Sequence, residues 1–161
     1  MSLFTKQTAP LEDVPARAPH FALGEHGEAL ALEYLERAGY HIVAANFSLP
    51  IGRNTRDAII NAEIDLVAYD GPTLCFIEVK TRASDEVAPP QTNVDLRKRR
   101  QVARAARGYR SMFGLMSAPY RYDVVTVIAK HIDAEPRIEI LKGFWTDRQL
   151  RKRNWHEGYW D

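Results

Sequence analysis

The sequence predicts an α/β domain in which helices flank one mixed central sheet, and three observations lead there. Periodic segments follow one another in the order helix, three strands, helix, two strands. The second and third strands are separated only by Gly71 and Pro72 and a flanking residue or two, the spacing of an antiparallel hairpin. A chain of 161 residues that is 45% hydrophobic is long enough to bury one core and short enough to need no second.

Residues 1–20 mix proline, alanine and charge without a sustained period and read as an N-terminal arm. The domain is expected over 21–145, and a basic, aromatic tail over 146–161. "GEHGEALALEYLERAGY" is a helix: alanine, leucine and glutamate favour it, and Gly39 supplies the stop. At 100° per residue Glu28 shares a face with Ala31, Leu32 and Leu35, whereas Glu25, Glu33 and Glu36 turn away.

"HIVAANF" reads as a strand, and "SLPIGRNTRDAIIN" as an extended or partly strand-like loop. "EIDLVAYD" and "LCFIEVKTR" form the hairpin. Alternation along the latter puts Glu78 and Lys80 on the face opposite Cys75, Ile77 and Val79, and Asp65 joins them if its own face matches.

A second helix is expected from about Val94 to Met112, with an apolar face of Val102, Ala105, Ala106, Tyr109 and Met112. Arg97, Arg100, Arg104 and Arg107 gather on the other side, while Lys98 projects onto the apolar one. "YRYDVVTVIA" and "RIEILKGF" complete the strands, with no internal repeat. Trp145, Trp155, Tyr159 and Trp160 read as residues that cap a core or meet a partner chain.

Composition narrows the function classes. Net charge is only +1, so a nucleic-acid face has to come from local clustering. Arg97 to Arg110 supplies it, with seven Lys or Arg residues and no acid. The single cysteine, Cys75, cannot form an internal disulfide and makes no thiolate zinc site, which favours a reducing cytoplasm and oxygen ligation of any metal. No apolar run approaches the roughly 20 residues that cross a bilayer, and the first residues lack the apolar stretch of a secretory signal. A membrane partner is not expected, and the five histidines show no metal-ligand spacing.

Charges placed within core strands need a reason, because an ionised carboxylate loses solvation that packing does not replace. Two facing carboxylates repel unless a cation lies between them. A hard divalent ion, Mg²⁺ with Mn²⁺ as a substitute, suits one or two carboxylates completed by water and phosphate oxygens. Lys80 would stand beside that ion, where an ammonium can orient an attacking water.

"EIDLVAYD" followed by "FIEVKTR" resembles the PD-(D/E)xK nuclease superfamily, the restriction-endonuclease-like fold, and within it the small bacterial YraN-type proteins. The resemblance runs from about Gly24 to about Val127 and includes "AANF", "VDLRKRRQVARAA" and "RYDVV". It implies that Asp65, Glu78 and Lys80 are the active-site triad, with Asp65 and Glu78 on the metal. It also implies that Glu28 is the helix acid of the archaeal junction-resolvase branch, and that Lys98 is a recurring YraN-type lysine.

The chain departs from the pattern at Ala62, where glycine is usual, and in the longer segment from Ser48 to Asn61. The reading is a Mg²⁺-dependent endonuclease acting on nucleic acid, DNA before RNA and structured or branched DNA included. Lys98, Arg100, Arg104 and Arg107 would contact phosphates. Its rivals are a non-catalytic nucleic-acid-binding or adaptor protein of the same fold and a hydrolase of small phosphate esters. Oligomeric state is left open, a homodimer included.

Overall fold

The computed structural model describes residues 19–83 and 94–151. Its elements are α1 (Pro19–Arg37), β1 (His41–Arg53), β2 (Ile59–Asp70), β3 (Thr73–Arg82), α2 (Leu96–Met112), β4 (Tyr120–Ile128), β5 (Arg137–Trp145) and the short α3 (Asp147–Leu150). The five strands form one sheet in sequence order, antiparallel throughout except for the parallel pair β3–β4. That pair requires a crossover, which is α2. The architecture is α/β with a mixed sheet flanked by helices, consistent with a restriction-endonuclease-like core.

β3 is the central strand, and its run Leu74–Val79 is buried, as a strand covered on both faces must be. Alternation along it separates two cores. Leu74 and Phe76 pack with Val102, Ala105, Ala106 and Tyr109 of α2. Cys75, Ile77 and Val79 pack with Ala31 and Leu35 of α1. Trp145 is buried and stacks on Tyr122, with centroids 4.9 Å apart, in the role of a core cap.

The structure adds detail to the sequence reading and moves one residue off its expected face. Pro19 and His20, inside the segment read as an arm, are already part of α1. Residues 48–61 are mostly strand: β1 runs to Arg53 and β2 starts at Ile59, making one long hairpin. Its tip is closed by Asn54, whose Oδ1 accepts from the N–H groups of Arg56 and Ala58. Met112 leaves the apolar face of α2 and is 61% exposed, because it ends the helix where the chain turns off the sheet. Within the segment read as a basic, aromatic tail, α3 occupies 147–150; Trp155, Tyr159 and Trp160 lie outside the described residues.

Candidate active site

β2 and β3 pair from Asp70↔Thr73 as far as Leu66↔Ile77. Beyond that they part, β2 continuing along β1 and β3 along β4. Asp65 and Glu78, the next residues, stand at the fork. The N–H of Val79 has no β2 carbonyl to bond to and donates to Asp65 Oδ2 at 2.8 Å, so the carboxylate replaces a missing rung of the ladder.

The same place breaks the alternation of two strands. Ala62, Ile64 and Val67 of β2 all pack in the α2-side core, three residues rather than two separating the last pair. Opposite, Asn46 of β1 takes a left-handed φ of 50°, a conformation asparagine tolerates better than most residues. Asp65 is therefore set by an irregularity and not by simple alternation.

Glu78 is 3% exposed and lies between two lysines. Lys80 Nζ is 3.1 Å from its Oε1, and Lys98 Nζ, from the first turn of α2, is 3.5 Å from its Oε2. The Oε2 atom has no hydrogen-bond partner among the described residues, the 3.5 Å approach of Lys98 being an ion pair without a hydrogen bond. Asp95 caps α2, accepting from Lys98 N at 2.7 Å, and so fixes the turn that aims Lys98 at the fork. Glu78, Lys80, Lys98, Asp95, Arg97 and Gln101 line a cavity of about 450 Å³.

Asp65 is half-buried, and its carboxyl is pushed up from an ordinary 3.8 to about 7. Desolvation is the largest cause and the charge of Glu78 the next; the Val79 N–H and Lys98 oppose them, and Glu28 adds to them. Glu28 projects from the buried face of α1. Its carboxyl is also raised, first by burial and then by Glu63, Glu25 and Glu78, while a hydrogen bond with the Asn46 side chain lowers it. Glu28, Asn46 and Asp65 share a second cavity of about 340 Å³. Asn46 was not singled out from the sequence; its position in "AANF", between a strand's two alternation frames, was the available signal.

α1 is held close enough for this by Gly27, where a Cβ would overlap the Thr81 hydroxyl and stand 2.7 and 2.8 Å from its Cγ2 and Cβ. The site thus draws on α1, β2, β3 and α2.

The residues fit a hard cation by the chemistry of the donors. Two carboxylates repel across the fork, one keeps a buried oxygen without a hydrogen bond, and the other holds a proton near neutrality. Among the described residues no three histidine, cysteine or acidic side chains form a closed ligand set. Asp65 and Glu78 would hold an ion whose remaining positions belong to water and substrate, the habit of magnesium.

Asp123, 0% exposed on β4, makes the contrast. It accepts from Arg121 Nε at 2.8 and 3.1 Å, from Gly143 N at 2.9 Å and from Tyr40 Oη at 3.4 Å. That acid has its own cation and donors and serves the fold. Asp65 receives one backbone N–H.

The basic helix divides its seven charges. Lys98 faces Glu78, Arg99 lies 4.9 Å over the Phe144 ring, and Arg110 is buried over Tyr120 at 3.7 Å. Arg104 donates to the carbonyl of Ile51 and ties α2 to the long hairpin. Arg97, Arg100 and Arg107 make no ion pair or side-chain hydrogen bond among the described residues.

Fold and fork together define a class: an α/β protein whose central sheet splits to bring paired carboxylates and two lysines to one place. Residues 27–127 match the profile of the uncharacterised protein family UPF0102, the YraN family, and the chain belongs to it. A UPF0102 protein of Geotalea uraniireducens is 40% identical over 126 residues, covering 78% of this chain and 91% of its own length. One from Koribacter versatilis is 37% identical over 147 residues, covering 88% and 94%, and one from Chlorobium limicola is 41% identical over 115, covering 71% and 81%. Among the described residues no helix is long and apolar enough to cross a membrane.

Proposed function

We propose that the chain is a Mg²⁺-dependent nuclease that hydrolyses phosphodiester bonds of DNA in the cytoplasm, with Mn²⁺ able to substitute. The observation that carries the reading is the carboxylate pair at the fork, in which Asp65 is pushed up to about 7 beside Glu78. An acid serving only the fold would be expected to have its own cation and donors as Asp123 does, whereas Asp65 accepts one backbone N–H and makes no ion pair among the described residues.

When bound, the ion would offset the charge on the attacked phosphate and acidify a water. Asp65 and Glu78 would hold it. Lys80, 3.1 Å from Glu78, orients the nucleophilic water and offsets charge that grows on the phosphate in the transition state. Glu28, which lines the smaller cavity with Asp65, would reach the ion through water. Lys98 offsets the charge of Glu78 and favours the ionised form of Asp65. The outward arginines of α2 gather the phosphate backbone.

The test is a cleavage panel with Mg²⁺ and with Mn²⁺ on single-stranded, duplex, flap and junction DNA and on RNA, beside Asp65→Ala. Metal-dependent cleavage that Asp65→Ala lacks supports the reading. Nucleic-acid binding without cleavage on every substrate replaces it with an adaptor role.

A further inference from the structure

A further cavity does not touch the fork. It lies between α2 and α3, encloses about 500 Å³, and falls inside the roughly 300–1,000 Å³ range of small-ligand sites. Its cationic lining comprises Arg100, Arg107, Arg110 and Arg151, with Arg104 at the Ile51 carbonyl; Ala103, Met116 and Leu150 supply apolar wall.

Its one acid, Asp147, is already engaged, accepting from Tyr122 Oη at 2.8 Å and from the Tyr120 hydroxyl. Among the described residues Asp147 makes no ion pair with an arginine, and one carboxylate stands in a lining of five guanidinium groups. Arg110 is 8% exposed and donates through one terminal nitrogen to Met116 O at 2.8 Å, yet its buried Nε has no hydrogen-bond partner among the described residues. A buried guanidinium nitrogen left without an acceptor, in a cavity lined by further unpaired arginines, calls for an anion.

We infer that this cavity receives the phosphorylated terminal nucleotide of a DNA strand, its phosphomonoester against the arginines and its base against Met116 and Leu150. The reasons are shape and charge. A duplex backbone is convex and would meet only the rim, whereas a strand end can enter a concavity. A terminal phosphate carries close to two charges at neutral pH, against one for a diester, and repays several arginines converging on one point. The cavity's midpoint lies on the order of 10 Å along α2 from Lys98, at 1.5 Å per residue, so an end held there sets the cut a few nucleotides away. This inference rests on the nuclease reading for its substrate, but the binding it describes does not require cleavage.

The experiment uses full-length protein carrying Asp65→Ala, so that nothing is cut, and fluorescence anisotropy with one short oligodeoxynucleotide bearing a 5′-phosphate, a 3′-phosphate or hydroxyls at both ends. One phosphorylated form is expected to bind about tenfold more tightly than the hydroxyl form, the value of one charge-assisted hydrogen-bond set. Which form wins gives the polarity of the bound strand. Adding Arg107→Gln or Arg100→Gln, both outward-facing and safe for folding, should remove the preference while far-ultraviolet circular dichroism is unchanged.

Equal affinity for all three ends overturns the inference, as does a preference that survives both arginine substitutions. A nucleoside monophosphate that competes as well as the oligonucleotide overturns the strand-end assignment and makes the site one for free nucleotides. An end preference in a protein that cleaves nothing across the substrate panel sinks the nuclease reading and leaves the site standing.

Discussion

Asp65→Asn should make the metal-free protein more stable, and the gain should depend on pH in a way that identifies its cause. The folded carboxyl, pushed up to about 7 from an ordinary 3.8, binds a proton that the unfolded chain has already released. Between those values the folded state holds more protons than the unfolded one, so stability falls as pH rises. The contribution of Asp65 is fully present below about pH 4, declines from there, and is lost above about pH 7. At about 1.36 kcal/mol per tenfold change, the loss is on the order of 4 kcal/mol.

Asparagine keeps the acceptor for the Val79 N–H and cannot ionise. Urea unfolding with chelator present should therefore show variant and wild type alike near pH 4, and the variant ahead by roughly 1–4 kcal/mol at pH 8. Millimolar Mg²⁺ should close the gap from the wild-type side only, since an ion that binds the folded carboxylate pair lifts the penalty. Parallel pH profiles from 4 to 8 would refute the reasoning, because Asp65 would then titrate alike in both states.

Other perturbations test separate parts. Lys80→Met should lower the cleavage rate on the order of 10²-fold or more while Kd for substrate stays within a few fold, since the ammonium acts on the transition state; equal rates would move the role to Lys98. Replacing Arg100 and Arg107 by alanine should flatten the plot of log affinity against log salt for duplex DNA by roughly 1.8, two phosphate contacts' worth, and an unchanged slope would mean a merely solvated face. Gly27→Ala should destabilise the fold by about 1–3 kcal/mol in urea titrations, because the β-branched Thr81 has little room to turn away.

The sequence made Glu78 and Lys80 legible because β3 alternates regularly, and a charged face on a fully buried strand is conspicuous. Lys98 was legible for a related reason: a lysine on the apolar side of a helix needs a destination, and Glu78 is it. Asp65 was visible as a residue type but not as a geometry, since its placement depends on Asn46 and on the parting of two strands, which only the assembled sheet creates. Arg110 was hidden among its neighbours. Nothing local distinguishes a buried arginine over Tyr120 from the solvated Arg107 one turn earlier. Residues 48–61 read as an extended or only partly strand-like loop because Pro50, Gly52 and Asn54 suppress strand propensity, and the β1–β2 pairing extends the strands further than that.

The single parallel pair in the sheet carries a consequence for biosynthesis. β3 and β4 cannot join until α2 has crossed between them, and Glu78 lies on the strand before that crossover while Lys98 lies in the crossover's first helical turn. Their neighbours Glu28 and Asp65 come from earlier in the chain, so a nascent polypeptide emerging from the ribosome has both acids exposed to water well before the lysine of α2 can reach them. Long-range closure of this kind forms late. The cluster of acids and lysines would thus be complete only at the last cooperative step of folding, and its loss on heating should coincide with global unfolding and not with any earlier local melting.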